Sequence, residues 1–184
     1  MRDAVDMFLD QWARERPGLD VSPMGPIGRL SRASHLVGKR LKENFAREDM
    51  EAWEFDVLAT LVRSGPPHTL TPKELSAMTM VGSAAMTNRV DRLVAKGMVG
   101  REVDPDNRRR LLISLTPEGE AWVDRVLEGH LATERRLLAG LSEEDRAGLD
   151  RLLRALLCSL GDSQDDLGPA TATGDRGGRG NRPV

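Results

Sequence analysis

Residues 70–97 read LTPKELSAMTMVGSAAMTNRVDRLVAKG, and this stretch decides the fold. Thr71 can accept the amide of Glu74 as an N-cap, Pro72 fits a first helical turn, and Glu74 stands where a capping box places its carboxylate. The helix they start is short, because Thr79, Met80, Val81 and Gly82 break it. A second helix runs from about Ser83 to Lys96, with Gly97 as its stop. Two short helices joined by a tight, Gly-containing turn make a helix-turn-helix. Steps of 100° per residue put Met86, Val90, Leu93 and Val94 on one inward arc of the second helix, and Ala84, Asn88, Asp91 and Arg92 on the opposite face. A short polar face with Asn and Arg suits a helix lying in a major groove. Ser83, Ala84, Thr87, Asn88, Asp91 and Arg92 are therefore the expected DNA-facing residues of this helix.

Downstream, residues 98–102 and 110–115 are strand-like and flank Asp104-Pro105-Asp106-Asn107, which predicts a β-hairpin with a charged tip. Arg108, Arg109 and Arg110 follow consecutively, so alternate ones can face a phosphate or a minor groove. Thr116-Pro117-Glu118 caps a long helix with Val123, Val126, Leu127 and Leu131 on one stripe. Ser142 starts a last helix carrying Leu149, Leu152, Leu153, Leu156, Leu157 and Leu160. A monomer would leave one side of that leucine seam wet, which fits a dimer interface.

Upstream, residues 51–63 form a helix with Phe55, Leu58, Leu61 and Val62 inward, stopped by Ser64-Gly65-Pro66-Pro67. Another helix begins near Ile27, after Pro23 and Pro26, with Ile27, Leu30, Ser34, Val37 and Leu41 on its stripe. A first helix over residues 2–16 carries Val5, Phe8, Leu9 and Trp12 and ends at Pro17. Residues 161–184 hold six Gly and two Pro and almost no large apolar side chains, so they read as a disordered tail. Its Arg176-Gly177-Gly178-Arg179-Gly180 run is weakly similar to an RGG segment.

Composition agrees with an α-rich chain: 3% aromatic residues and no Tyr would serve an all-β sandwich poorly. The formal charge of −2 argues against coating nucleic acid by bulk positive charge, yet it conceals an asymmetry. Residues 86–110 hold seven Lys or Arg against four acids, whereas residues 117–166 hold six Arg against twelve acids. Absence of any apolar run near 18 residues leaves membrane spans and signal peptides unsupported, and the single Cys158 cannot form an internal disulfide; the expected location is cytoplasmic.

In this order, Leu70-Thr71-Pro72-Lys73-Glu74-Leu75, Asn88-Arg89-Val90-Asp91-Arg92-Leu93, the wing Asp104 to Arg110, and the exit Leu115-Thr116-Pro117-Glu118-Gly119 resemble the MarR family of bacterial winged helix-turn-helix regulators. The resemblance implies an obligate homodimer built from the terminal helices and binding double-stranded DNA at a palindromic operator. On it, residues 1–25 are an N-terminal extension helix and linker. Residues 26–160 are the MarR-like domain, with a winged helix-turn-helix at about 51–116 and dimerisation helices at 26–47 and 117–160.

The extra N-terminal helix makes the chain similar to the urate-responsive branch of that family, the PecS and HucR type. That resemblance implies a site of Trp12, Asp56, Arg89 and Arg101. Arg89 sits about 60° from Met86, on the shoulder of the buried arc, and so needs a partner such as Asp56 or an anion. Trp12 offers a flat apolar face and an indole donor. A planar anion such as urate could stack on Trp12, bind Arg89 and Arg101, and strain the recognition helix by displacing Asp56. Citrate or aconitate would satisfy the two arginines nearly as well, and a ligand-independent architectural DNA-binding protein is the remaining alternative.

No phosphate loop, nucleophile elbow or paired-carboxylate motif is present, so no enzyme is expected. His35, His68 and His130 lack partners at ligand spacing, so neither a metal nor a cofactor is expected. Cys158 reads as an inert thiol, and Met78, Met80 and Met86 as core packing.

Overall fold

The computed structural model describes residues 2–162. The tail expected over 161–184, apart from Gly161 and Asp162, lies outside the described residues, and so does its Arg-Gly run. Helices dominate, with one small antiparallel sheet, as composition and periodicity predict. The described residues form two compact units, one holding residues 2–52 with Val126–Ala139 and the other Trp53–Arg125 with residues 140–162.

In the first unit, α1 spans Ala4–Glu15 and α2 spans Met24–Phe45. Asp3 caps α1 by accepting the amides of Val5 and Asp6, while Asp6 Oδ2 accepts the amide of Asp3. Arg29 of α2 closes the same end, its Nε 2.8 Å from Asp3 Oδ2 and its Nη2 2.6 Å from Asp6 Oδ1. The helices can approach because Gly28 presents no side chain: a Cβ there would stand 3.3 Å from Cγ1 of the buried Val5. The second helix begins at Met24 rather than near Ile27, since Pro26 fits within a first turn whose amides have no helical partner. Ile27, Leu30 and Val37 of its expected apolar stripe are exposed. At its far end buried Phe45 stacks on His130, with centroids 5.2 Å apart.

The second unit carries α3 (Ala52–Arg63), β1 (Thr69–Leu70), α4 (Pro72–Met78), α5 (Ser83–Ala95), β2 (Val99–Asp104) and β3 (Asn107–Leu115). A long helix α6 (Pro117–Leu137) starts in it, and α7 (Glu143–Ser159) follows. Val57, Leu58, Leu61, Leu75, Met86, Leu93 and Ile113 are fully buried and form its core. The sheet order is β1-β3-β2, with Thr69 opposite Ser114 and Arg101 opposite Ile113. The short β1 has no periodicity of its own and exists because β3 offers it an edge. Both wing strands are longer than the sequence pattern indicates, because the turn tightens to Pro105-Asp106 and Asp104 Oδ1 accepts the Asp106 amide.

Two junctions fix this unit. Glu54 of α3 is fully buried and meets Lys96 Nζ at 2.9 Å, which ties α3 to the end of α5. At the wing exit, Thr116 Oγ1 lies 2.8 and 2.9 Å from the carbonyls of Gly97 and Met98 and accepts the Gly119 amide. Gly119 is needed there, because a Cβ would stand 2.2 Å from the Met98 carbonyl oxygen.

Candidate nucleic-acid interface and ligand residues

Thr71 and Glu74 form the capping box the sequence predicts, with Glu74 Oε2 2.7 Å from the Thr71 amide. The turn after α4 is made by Met80 in the left-handed region (φ 53°), not by Gly82, and Val81 donates to the Ser76 carbonyl at 3.0 Å. This corrects the reading of Met78 and Met80 as core: the turn carries Met80 outward and leaves it 82% exposed, Met78 at the end of α4 is exposed as well, and Met86 alone of the three is fully buried.

On α5 the two faces separate as expected. Met86, Val90 and Leu93 are buried, and Ser83, Ala84, Thr87, Asn88, Asp91 and Arg92 are all exposed. Arg89 lies between the two sets and is half-buried. Gly82 caps the helix without a side-chain hydrogen bond and no acid occupies its first turn. The positive end of the helix dipole is therefore left for an external anion.

Arg108, Arg109 and Arg110 stand exposed on β3, but they are not equivalent. Arg110 Nη2 is 3.4 Å from Glu74 Oε1 and its Nη1 3.9 Å from Asp104 Oδ2, so it braces the wing against α4. Arg108 and Arg109 make no ion pair among the described residues. At the other end of the wing Arg101 Nη1 meets Asp91 Oδ1 at 2.5 Å. A residue expected to bind ligand is thus paired with one expected to face DNA.

The four residues expected at a ligand site are divided. Trp12 belongs to the first unit and is 42% exposed. Asp56, Arg89 and Arg101 belong to the second. Burial pushes the Asp56 carboxyl up from its ordinary value, against the pull of Arg63 and Arg89. Arg89 places its guanidinium carbon 5.3 Å from the ring centroid of Trp53, one turn before Asp56 on α3, and Arg92 places its own at 4.8 Å. Trp53 was not among the expected site residues. Its signal was present as spacing: Trp53 and Asp56 share one strip of α3, as Arg89 and Arg92 share one strip of α5.

The helix-turn-helix and wing agree with what is known of other chains. Residues 48–110, from the approach to α3 through the wing arginines, match the model of the MarR family. The chain is 41% identical over 130 residues to the HTH-type transcriptional regulator PecS of Dickeya dadantii (strain 3937), covering 71% of this chain and 78% of that one. A crystal structure of a mutant MarR from E. coli complexed with operator DNA superposes with a TM-score of 0.68 at 29% identity, covering 76% of this chain and 99% of that one. AbsC, a MarR family transcriptional regulator from Streptomyces coelicolor, has the same fold at a TM-score of 0.72 and 20% identity, covering 79% and 98%. The chain belongs to the MarR family and is a DNA-binding transcriptional regulator, not an enzyme, built on a winged helix-turn-helix.

Proposed function

We propose that the protein is a homodimeric repressor that holds a palindromic operator and releases it when a planar anion, urate, binds. The observation that carries the DNA half is the division of α5 into a buried apolar arc and an exposed face of Ser83, Ala84, Thr87, Asn88, Asp91 and Arg92. In a dimer the two copies of α5 enter successive major grooves about one helical turn apart, and Arg108 and Arg109 reach the flanking minor groove. Arg110 steadies the wing from its seat on Glu74 and Asp104. In this scheme residues 51–116 bind DNA, and residues 26–47 and 117–160 dimerise. The extension over 1–25 serves sensing.

Support for the dimer comes from α7, which buries none of its residues although Leu149, Leu152 and Leu157 are 40%, 58% and 46% exposed. Support for an anion comes from Asp56, Arg89 and Arg63, a half-buried carboxylate whose charge is disfavoured beside cations that would accept another anion. Arg101 takes part by exchanging Asp91 for the ligand, and the stacking role of Trp12 rests on the family resemblance. The likeness to PecS favours urate over citrate or aconitate.

The test uses a DNA duplex selected by the protein from a random-sequence library. Urate, citrate and a neutral purine are titrated separately in a gel-shift assay. Urate is expected to release the duplex and the neutral purine to leave it bound. Release by citrate alone would replace the ligand class, and release by none of the three would leave a ligand-independent DNA-binding protein.

A further inference from the structure

The first unit carries a cleft of about 350 Å³ between the end of α2 and the end of α6, within the size range of small-ligand sites. Arg40, Glu43, Asn44 and Arg47 line one wall at i, i+3, i+4 and i+7, a single strip of α2 and the 3-10 turn that continues it. Thr133 and Arg136, one turn apart on α6, line the other. Three arginines thus meet one acid, and Glu43 Oε2 is held by Arg40 Nη1 at 3.1 Å. Arg47 and Arg136 make no ion pair among the described residues. Arg136 Nη2 donates to the Thr133 hydroxyl at 2.8 Å. That buried hydroxyl also lies 2.9 Å from the Gly129 carbonyl and 3.3 Å from Asn44 Oδ1, which joins the two walls. Thr133 engages one of the five N–H donors of Arg136 and leaves the others open to a ligand. Like charges gathered on facing strips repel, and an anion between them offsets that cost.

We propose that this cleft binds a small multivalent oxyanion, bearing carboxylate or phosphate groups, which bridges Arg47 and Arg136 and ties α2 to α6. Guanidinium forks suit such groups, since each can hold an oxyanion through two parallel N–H bonds. With Glu43 set against Arg40, two cationic charges remain, so a dianion or trianion balances the lining and a monoanion does not. None of the residues proposed above to hold urate takes part, so the inference goes beyond that reading and stands without it. Arginines that merely fan into solvent would bind no anion in preference to other exposed arginines.

Citrate, pyrophosphate and the monovalent acetate are titrated separately into the full chain, in its solution assembly, by calorimetry at one salt concentration. Citrate or pyrophosphate is expected to bind, and acetate at least about tenfold more weakly. Arg47→Gln and Arg136→Gln are each expected to weaken the multivalent anion about tenfold, the loss of one charge-assisted partner. Glu43→Gln, which releases Arg40, tightens it several-fold. Arg14→Gln removes the same charge from α1 and leaves affinity within about twofold. No binding of either multivalent anion, as when a second copy closes the cleft, overturns the inference. Binding that Arg47→Gln and Arg136→Gln leave unchanged lies elsewhere and overturns it too. So do an equal loss in Arg14→Gln and weaker binding by Glu43→Gln. Should thermal melting show Arg136→Gln unfolded, Arg47→Gln, whose side chain makes no ion pair among the described residues, carries the comparison.

Discussion

Arg101 at the root of the wing and Asp91 on the recognition helix hold each other at 2.5 Å between Nη1 and Oδ1. The pair joins the two elements proposed to touch DNA, and it masks a negative charge on the face that would then approach phosphates. Removing Arg101 alone exposes that charge. Arg101→Ala is expected to weaken duplex binding several-fold, and Asp91→Ala/Arg101→Ala to recover most of the loss. Both side chains are about half exposed, so the direct stability effect stays near or below about 1 kcal/mol. Anisotropy titrations of the two singles and the double give the answer, and additive losses would contradict the masking role.

Asp56 offers a pH-dependent prediction. Its carboxyl is raised above the ordinary value of 3.8, by burial first and against the pull of Arg63 and Arg89. The folded state therefore binds this proton more tightly than the unfolded chain does. That stabilisation is complete below 3.8 and is lost as pH rises through the raised folded-state value. At neutral pH the ionised carboxylate is a burden, so Asp56→Asn raises the melting temperature there. Melting curves at descending pH should show the gain shrinking to nothing as 3.8 is approached.

Lys96→Met tests the junction of α3 with α5. It leaves the fully buried Glu54 without its ammonium partner, which is 2.9 Å away in the parent chain. Breaking a buried pair costs about 3–5 kcal/mol, and the partly exposed lysine brings the expected loss to about 2–3 kcal/mol. Urea denaturation followed by circular dichroism measures it.

Gly119→Ala tests the wing exit. The new methyl would meet the Met98 carbonyl oxygen at 2.2 Å, and that atom belongs to backbone already engaged by Thr116. The strand end or the start of α6 must shift, so stability falls by about 2–4 kcal/mol. Gly129→Ala, with open space around its Cβ, serves as the control and leaves stability unchanged or slightly raised.

What the sequence makes legible is what short-range chemistry decides. The Thr71–Glu74 box and the buried arc Met86, Val90 and Leu93 depend on neighbours within a turn or two and appear where the sequence puts them, and the arginine-bearing hairpin forms there too, with longer strands than the pattern indicates. Met80 was misread because an isolated Met favours core, whereas the left-handed turn turns it outward. Arg101–Asp91 and Trp53 beneath Arg89 and Arg92 were not foreseen, since each joins two elements whose relative rotation no single-helix pattern specifies. The apolar seam on α7 was legible as a pattern, and its 40–58% exposure at Leu149, Leu152 and Leu157 is what the pattern alone could not supply.

Sensing and DNA holding are proposed to fall to different arginines, and one parallel titration tests that division. Affinity for the selected duplex is measured with and without saturating urate for the parent chain, Arg89→Ala and Arg109→Ala. Arg89→Ala is expected still to bind DNA, within about fivefold of the parent, and no longer to respond to urate. Arg109→Ala is expected to bind more weakly at every urate concentration, with a shallower dependence on salt, and to keep its response to urate. Abolition of DNA binding by Arg89→Ala alone, or a full urate response in that variant, would contradict the division of roles between the two arginines.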